Sequence, residues 1–448
     1  MAAVFVLLYV PLLLFFLKAM FTKDAQLIQN SYYAATAQAL PEQAPLKSTV
    51  SADVCVVGAG LAGLSAALEL ANAGFDVVLL EARRIAWGAS GRNGGQAIAG
   101  YACGEEPFEK AMSMDEAKRA FNLTIEGLDL MRERIRQYNI DCDWVDGYMT
   151  ASVKPKSTAG LFEWADRLGE AYDYPHLQKI QPDEMPEWVA SKRYHAGVLD
   201  KNSAHLHPLK YALGVARAAL DAGVRIFEQS MVTDIAYTDP AVVKTAQGQV
   251  TAKFVILAGN VYIDELVPKI AKRIMPVGTY IIATEHLPKE TADSLIKNRI
   301  AVCDNNFVLD YFRVTNDDRM LFGGRVSYSG ITPPNLPVAM RKTMLRAFPQ
   351  LESAKVEYCW GGFVDVTMNR APDFGRLANN VYYLQGFSGH GLILTGIAGK
   401  LAAEAVRGQA ERFDMFSKIK HLPFPGGKYL RTPAQVLGMA YYRLKDYL

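Results

Sequence analysis

Val54-Cys55-Val56-Val57-Gly58-Ala59-Gly60-Leu61-Ala62-Gly63-Leu64 is the stretch on which the fold turns. A short β-branched run ends at Val57, and glycines follow at 58, 60 and 63. Leu61, Leu64 and Leu68 then recur at helical spacing until Gly74 closes the helix. Residues 77–80 form a second apolar run that ends in Glu81. Three glycines alone are weak evidence, but set between a strand and a helix, with an acid ending the next strand, they mark a dinucleotide-binding βαβ unit. Gly58 permits the tight turn, Gly60 lets the Ala59–Gly60 backbone approach a pyrophosphate, and Gly63 lets the helix pack close to the strand. The helix N-terminus adds donors and partial positive charge. Glu81 suits the adenosine ribose hydroxyls and repels a 2′-phosphate, which disfavours NADP. Ala82 beside it and Val232 further on join the candidate cofactor-contacting set.

A chain of 448 residues exceeds what one hydrophobic core organises, so two packed units with room for a large cofactor are expected. A formal charge of +2 argues against a nucleic-acid partner held by bulk electrostatics. Cys55, Cys103, Cys142, Cys303 and Cys359 are scattered, with neither a Cys-x-x-Cys pair nor a Cys/His cluster at metal spacing. That usage fits a reduced, cytoplasmic, metal-free protein. Residues 2–17 are an unbroken apolar run ending at Lys18, shorter than the roughly 20 residues that span a bilayer unless 19–21 extend it. Pro11 weakens it, and a signal peptide's basic start and cleavage site are not evident. Two readings stand. In one, residues 2–21 tether the enzyme to the inner face of the plasma membrane, with Lys18 and Lys23 on the cytoplasmic side; in the other, they are an extension irrelevant to the fold.

Two further glycine-rich segments extend the site beyond the adenosine. Ala89-Ser90-Gly91-Arg92-Asn93-Gly94-Gly95-Gln96 is poor in bulky side chains, so its backbone can run against a flat ring, with Ser90, Arg92 and Asn93 for phosphate or ring contacts; the alternative is a merely polar loop. Gly386-Phe387-Ser388-Gly389-His390-Gly391 precedes an apolar helix at 392–406. Outward-facing amides at such a helix start suit the negative charge that a reduced flavin gathers at its N1 and C2 carbonyl edge. His390 either adds a donor there or ties down the loop. Gly259, after a strand at 254–257, is a close-approach site near the adenosine half. Only one dinucleotide fingerprint occurs. Electrons therefore come from an organic substrate, not from NAD(P)H, and the cofactor reads as FAD.

The pattern predicts an α/β fold: a Rossmann-type FAD-binding domain, discontinuous in sequence, with an inserted α+β substrate domain on a mixed or antiparallel sheet. After a polar lead-in at 22–50, the FAD-binding pieces are 51–110, 196–262 and 355–410, and the substrate domain is 111–195 and 263–354. A helix at 209–220 and strands at 224–227 and 254–257 belong to the first. Strands at 144–153, 279–284 and 320–326 belong to the second. In the tail at 411–448, an amphipathic helix at 433–448 carries Leu437, Tyr441, Leu444 and Leu448 on one face. It packs on its own body, with a membrane or a second subunit as alternatives.

These residues resemble the FAD-dependent amine and amino-acid oxidoreductases of the D-amino acid oxidase and glycine oxidase superfamily. The βαβ opening and residues 360–375 carry the general likeness. Ser31-Tyr32-Tyr33-Ala34-Ala35, the 88–96 loop, Asn369-Arg370-Ala371-Pro372-Asp373-Phe374-Gly375-Arg376, residues 385–391 and Pro423-Phe424-Pro425-Gly426-Gly427 carry a narrower one, to the bacterial gamma-glutamylputrescine-oxidising group. The resemblance implies oxidation of the terminal amine of gamma-glutamylputrescine to an imine, hydrolysed to gamma-glutamyl-gamma-aminobutyraldehyde and ammonia, with oxygen reduced to hydrogen peroxide, a step of putrescine catabolism. Positioning of the amine's α C–H over flavin N5 then matters more than a dedicated acid/base pair, and no catalytic side chain is assigned. Relatives that hold FAD covalently carry a cysteine just after the segment matching Trp360-Gly361-Gly362; here Phe363, Val364, Asp365 and Val366 follow, which implies noncovalent FAD. Tyr311 and Arg313 are the candidate substrate contacts, a phenol and an arginine fork for a glutamyl carboxylate, or else a strand with one solvated arginine. Two other functions remain open: a membrane-associated dehydrogenase of D-amino acids or secondary amines that passes electrons to quinone, and a flavin-binding sensor without turnover.

Overall fold

The structure, a computed structural model, describes residues 30–425 apart from 265, 307 and 328–334. The apolar run at 2–21 and the helix expected at 433–448 lie outside the described residues. Among the described residues no helix is long and apolar enough to cross a membrane.

Two sheets organise the chain. The first contains β1 (Thr49–Val57), β2 (Val77–Leu80), β7 (Arg225–Phe227), β8 (Val232–Ala236), β9 (Ala241–Thr245), β10 (Gln249–Leu257), β16 (Asp373–Ala378) and β17 (Val381–Gln385). The second contains β3 (Gln96–Ala97), β4 (Val145–Ser152), β5 (Leu177–Ile180), β6 (Ala196–His205), β11 (Ile274–Thr284), β12 (Ala301–Asp304), β13 (Tyr311–Val314), β14 (Met320–Ser327) and β15 (Val356–Thr367). The helices that matter for the site are α1 (Tyr32–Thr36), α2 (Leu61–Asn72), α3 (Met114–Gln137), α4 (Pro208–Asp221), α5 (Leu336–Ala347) and α6 (Gly391–Val406).

In the first sheet β17, β10, β1, β2 and β7 run parallel, and β16 closes one edge antiparallel. Parallel strands need crossovers that cover both faces, which is why β1 and β2 are apolar throughout their buried ends. Val54, Val56, Val77 and Leu79 pack under the helices, while Cys55, Val57, Val78 and Leu80 face a second core with β8, β9 and β10. Helix α2 crosses from β1 to β2, and α6 lies directly on it. A Cβ on Gly399 of α6 would stand 2.6 Å from Ala62 O, Ala66 N and Ser65 Cβ, so only glycine permits this crossing. On α3, Ser113 and Glu116 form a reciprocal capping box.

The second sheet runs β15-β11-β14-β13-β12-β4-β6-β3, with β5 beside β6, and is mixed, since β12 and β4 are parallel. Its far face packs on α5 around Phe312, Phe322 and Phe348. The expected strands appear at Val145–Ser152, in the C-terminal half of β11 and at Met320–Ser327. The expected division by residue number does not match sheet membership. β6 and β15, placed with the nucleotide unit by sequence, pair in the second sheet, and β3 also joins it. β15 pairs with β11 from Thr367↔Ile274 to Val356↔Thr284, a ladder that no local pattern announces. The chain thus passes back and forth between the two sheets, and the cavity forms where they meet.

Candidate functional site

One cavity of about 1000 Å³ runs from the first βαβ turn to the start of α6, walled on its other side by the second sheet. That is the upper end of the roughly 300–1000 Å³ usual for small-molecule and cofactor sites. At one end are Gly58, Gly60, Glu81, Ala82, Val232 and Gly259. Gly58 adopts φ +105°, and a Cβ there would lie 2.6 Å from Ala258 O. Ala59 and Gly63 stand behind this wall: a Cβ on Gly63 would meet Gly58 O at 1.9 Å. The Glu81 carboxylate accepts the Ala59 N–H and the Arg83 N–H, both at 2.8 Å, which fixes one lone pair of each oxygen and aims the group into the cavity. Ser90 lies over the N-terminus of α2, where its Oγ accepts the Leu61 N–H at 2.8 Å and keeps its proton to donate.

The Ala89–Gln96 loop lies along the middle of the cavity, with Ser90, Arg92, Asn93 and Gly94 in its wall. Asn93 stitches the loop together, donating to Ala89 O and Ser90 O and accepting the Gly95 N–H. Arg92 is buried, its guanidinium 4.3 Å from the centre of the Trp87 ring and its Nη1 donating to Gly361 O at 3.4 Å. Trp360 is core, as its apolar bulk suggests, and its indole N–H donates to Arg92 O at 3.0 Å. Gly94 must be glycine because the Tyr311 ring presses on it: a Cβ would sit 2.7 Å from Tyr311 Cε2. Gly95, at φ +75°, stands behind the wall against Leu206 O.

At the far end Gly389, His390 and Gly391 line the cavity at the start of α6. His390 ties the loop down: its Nε2 donates to Ile98 O at 3.2 Å, so the ring proton is spent on the protein, and burial holds its pKa below the usual value. A carbonyl can only accept, so the ring presents no second N–H while neutral. The expectation of an added donor from His390 is therefore corrected. Asp365 supplies what sequence reasoning missed. It accepts the Gly386 N–H at 2.5 Å and the Phe387 N–H at 3.2 Å, pinning the turn that delivers α6, and burial pushes its carboxyl up to about 7. Its signal was an acid inside the apolar strand after Trp360-Gly361-Gly362.

Tyr311 lines the cavity together with Tyr148, Cys303 and Leu309 of the second unit. Arg313 does not. It is 2 % exposed, and its fork is consumed by Gly94 O (3.1 Å), Leu206 O (3.0 Å), Tyr33 OH (3.2 Å) and His205 Nδ1 (3.4 Å). The expected carboxylate fork is thus a clamp behind the Ala89–Gln96 loop, and the solvated-arginine alternative fails as well. The basic side chains among the described lining residues are Arg92 and Arg370. Cys103 and Cys303 also line the cavity, but burial pushes the Cys103 thiol up to about 12 and Cys303 higher, so both stay protonated and poorly nucleophilic.

Residues 53–405 match the model of the FAD dependent oxidoreductase family. The chain belongs to that family. It is 46% identical to the gamma-glutamylputrescine oxidoreductase of Escherichia coli strain K12 over 94% of this chain and 98% of that protein. It is 43% identical to a probable oxidoreductase, OrdL, of Haemophilus influenzae over 93% of this chain and 97% of that one. Among solved structures, glycine oxidase from Geobacillus kaustophilus superposes with a TM-score of 0.71 at 19% identity, over 83% of this chain and 100% of that one. An L-amino acid deaminase from Proteus vulgaris gives 0.68 at 20% identity, over 86% and 96%. These two likenesses carry the fold. As a member of the family this protein is an FAD-dependent oxidoreductase, and the cavity fits its cofactor: a glycine cradle and a carboxylate at one end, a helix start at the other, and Gly88, Ala89, Ser90 and Gly94 in the wall between them.

Proposed function

We propose that this oxidoreductase oxidises the terminal amine of gamma-glutamylputrescine. The amine becomes an imine, water releases gamma-glutamyl-gamma-aminobutyraldehyde and ammonia, and oxygen takes the two electrons to give hydrogen peroxide. The observation that carries the reading is the mixed lining of the cavity: Tyr148, Leu309, Tyr311, Val364 and Leu392 offer neutral surface for the reacting carbon, and Arg370 offers a cation for a carboxylate at the substrate's other end. An α-amino acid would bury a carboxylate beside the reacting carbon, and an unpaired buried carboxylate costs several kcal/mol. An amine whose reacting carbon carries only hydrogen avoids that cost. The identity to the E. coli relative over nearly the full length of both chains supports the same substrate.

Bound FAD supplies the two-electron acceptor. Gly58, Gly60, Glu81, Ala82, Val232 and Gly259 hold the adenosine and pyrophosphate, Ser90 donates to phosphate, and Ala59 and Gly63 keep the turn tight. Arg92, Asn93, Gly94 and Gly95 would hold the loop against the flavin, and Gly389 and Gly391, at the start of α6, would supply amides that favour negative charge on it. Tyr311 closes the substrate side and excludes water. The carboxylate-reading role expected of Arg313 passes to Arg370, which does line the cavity. FAD is held noncovalently, since the neutral thiols of Cys103 and Cys303 are poor nucleophiles. The body of the enzyme works in the cytoplasm.

An anaerobic screen tests the substrate. Gamma-glutamylputrescine bleaches the flavin, and admitting air regenerates it with one peroxide per turnover. Bleaching by D-amino acids or sarcosine alone would overturn the assignment. Reoxidation only by a quinone analogue would overturn the acceptor, and a flavin that no amine bleaches would overturn turnover itself.

A further inference from the structure

Arg313 is a buried cation without a counter-anion. Its acceptors are two backbone carbonyls, a phenol and an imidazole, and among the described residues no carboxylate pairs with it. The charges around it do not compensate. His205 and His207 face it and are held neutral, with pKa values lowered to about 3 by burial first and by the Arg313 charge next. Lys210, which also lowers His207, is paired with Asp143 at 3.0 Å. The acid on that side, Asp317, is already engaged by Arg319 at 2.9 Å and by Tyr32 OH and Thr315 Oγ1, each at 2.6 Å. Tyr33 and Tyr32 are pushed up by burial and stay protonated.

A buried charge is retained against its desolvation cost when something nearby needs it. Arg313 Nε donates to Gly94 O, and Gly94 lines the cavity, so one peptide unit separates the guanidinium from the flat wall of the Ala89–Gln96 loop. We propose that Arg313 is a cation that stabilises negative charge on the reduced flavin through space from behind the Ala89–Gln96 loop, adding to Arg92 in its wall, and thereby raises the flavin's reduction potential. Gly94 O belongs to the peptide whose N–H is that of Gly95, and that N–H is held by Asn93 Oδ1 at 2.9 Å, so Arg313 acts by its charge and not by a relayed dipole. Tyr33, from the lead-in helix α1, holds the guanidinium in place: its ring packs edge-on to Trp360 at 5.1 Å, and its hydroxyl accepts from Arg313 Nη2. Arg313 is thus a positioning and electrostatic residue that does not touch substrate.

The inference rests on the Ala89–Gln96 loop lying against flavin, not on the choice of amine, so its test uses no substrate. Two readouts on holoenzyme serve: the reduction potential against reference dyes, and the dissociation constant for sulfite, which bleaches oxidised flavin by adding at N5 and leaves negative charge on the ring. Arg313→Gln shifts the oxidised/reduced equilibrium at least tenfold toward oxidised, about 30 mV for a two-electron couple, and weakens sulfite at least tenfold. Arg313→Lys, which keeps the charge but not the fork, stays within threefold. If Arg313 is only a hydrogen-bond clamp, Lys and Gln shift alike, and that result overturns the proposal, as does an unchanged Gln variant. Should Arg313→Gln fail to retain flavin, Tyr33→Glu decides, because it neutralises the guanidinium in place: a potential and sulfite constant equal to the parent's would then refute the role. A parent protein that carries no flavin defeats the functional reading itself and is seen before any variant is made.

Discussion

Gly399→Ala adds one methyl group at the crossing of α2 and α6, where it would meet Ala62 O, Ala66 N and Ser65 Cβ, each at 2.6 Å. Two of the three are backbone atoms, which cannot rotate aside, so the helices must separate. Overpacking a tight core costs about 1–3 kcal/mol, and three simultaneous contacts against α2 place this variant near the top, about 3 kcal/mol. Both helices begin at the cavity, α2 after Gly60 and α6 after His390, so their separation also spreads the two ends that would hold FAD. The matched control is Gly160→Ala in the helix Thr158–Tyr172, where a Cβ meets nothing within 4 Å. There the same methyl should stabilise by up to about 1 kcal/mol through helix propensity alone. Thermal midpoints at saturating FAD, so that mass action is equal across variants, should fall for Gly399→Ala and hold or rise for Gly160→Ala. Flavin release followed by fluorescence should be faster only in the first. Equal midpoints for the pair would refute the claim that this crossing is what glycine is needed for.

Glu81→Gln replaces one of two oxygens that accept backbone N–H groups with an amide that cannot accept. It also removes the charge from the group that would accept from the ribose hydroxyls; at about 1.5–3 kcal/mol for a hydrogen bond to a charged group, FAD affinity should drop about 10- to 150-fold in a titration of apoprotein, and an unchanged constant would remove Glu81 from the cofactor site. The Asp304–Asp310 pair beside Arg193 sets a pH dependence. Their carboxyls rise from 3.8 to about 6 and about 7, chiefly by burial and, for Asp310, next by the charge of Asp304. The native state then keeps protons that the unfolded chain has lost, so this contribution is full below about pH 4 and declines as pH rises toward 7. Asp310→Asn should flatten that decline in unfolding curves taken from pH 5 to 8, and a slope equal to the parent's would sink the assignment.

The nucleotide end was readable because its chemistry is local. Gly58, Gly60, Gly63 and Glu81 fall within one βαβ unit, and the backbone conformation each imposes depends on neighbours a few residues away. The glycine loops were readable for the same reason, since a missing side chain is itself the signal. Asp365 was half legible, an acid in an apolar strand, but its meaning depends on amides 21 and 22 residues further on. Arg313 was misread because its meaning is wholly non-local: its acceptors lie 107 to 280 residues away in Leu206, His205, Gly94 and Tyr33. A strand arginine beside a tyrosine reads as a ligand fork only while nothing is known of what covers it. The same long reach hid β15, whose partner β11 lies some eighty residues upstream. What the chain's distant segments assemble is the cavity's second wall and the uncompensated charge behind the first. A relative that kept the Gly58–Gly63 turn but neutralised Arg313 should therefore still bind the dinucleotide while holding its flavin at a lower potential. Separating binding from potential in this way is the outcome that the two layers of the site, local and long-range, jointly require.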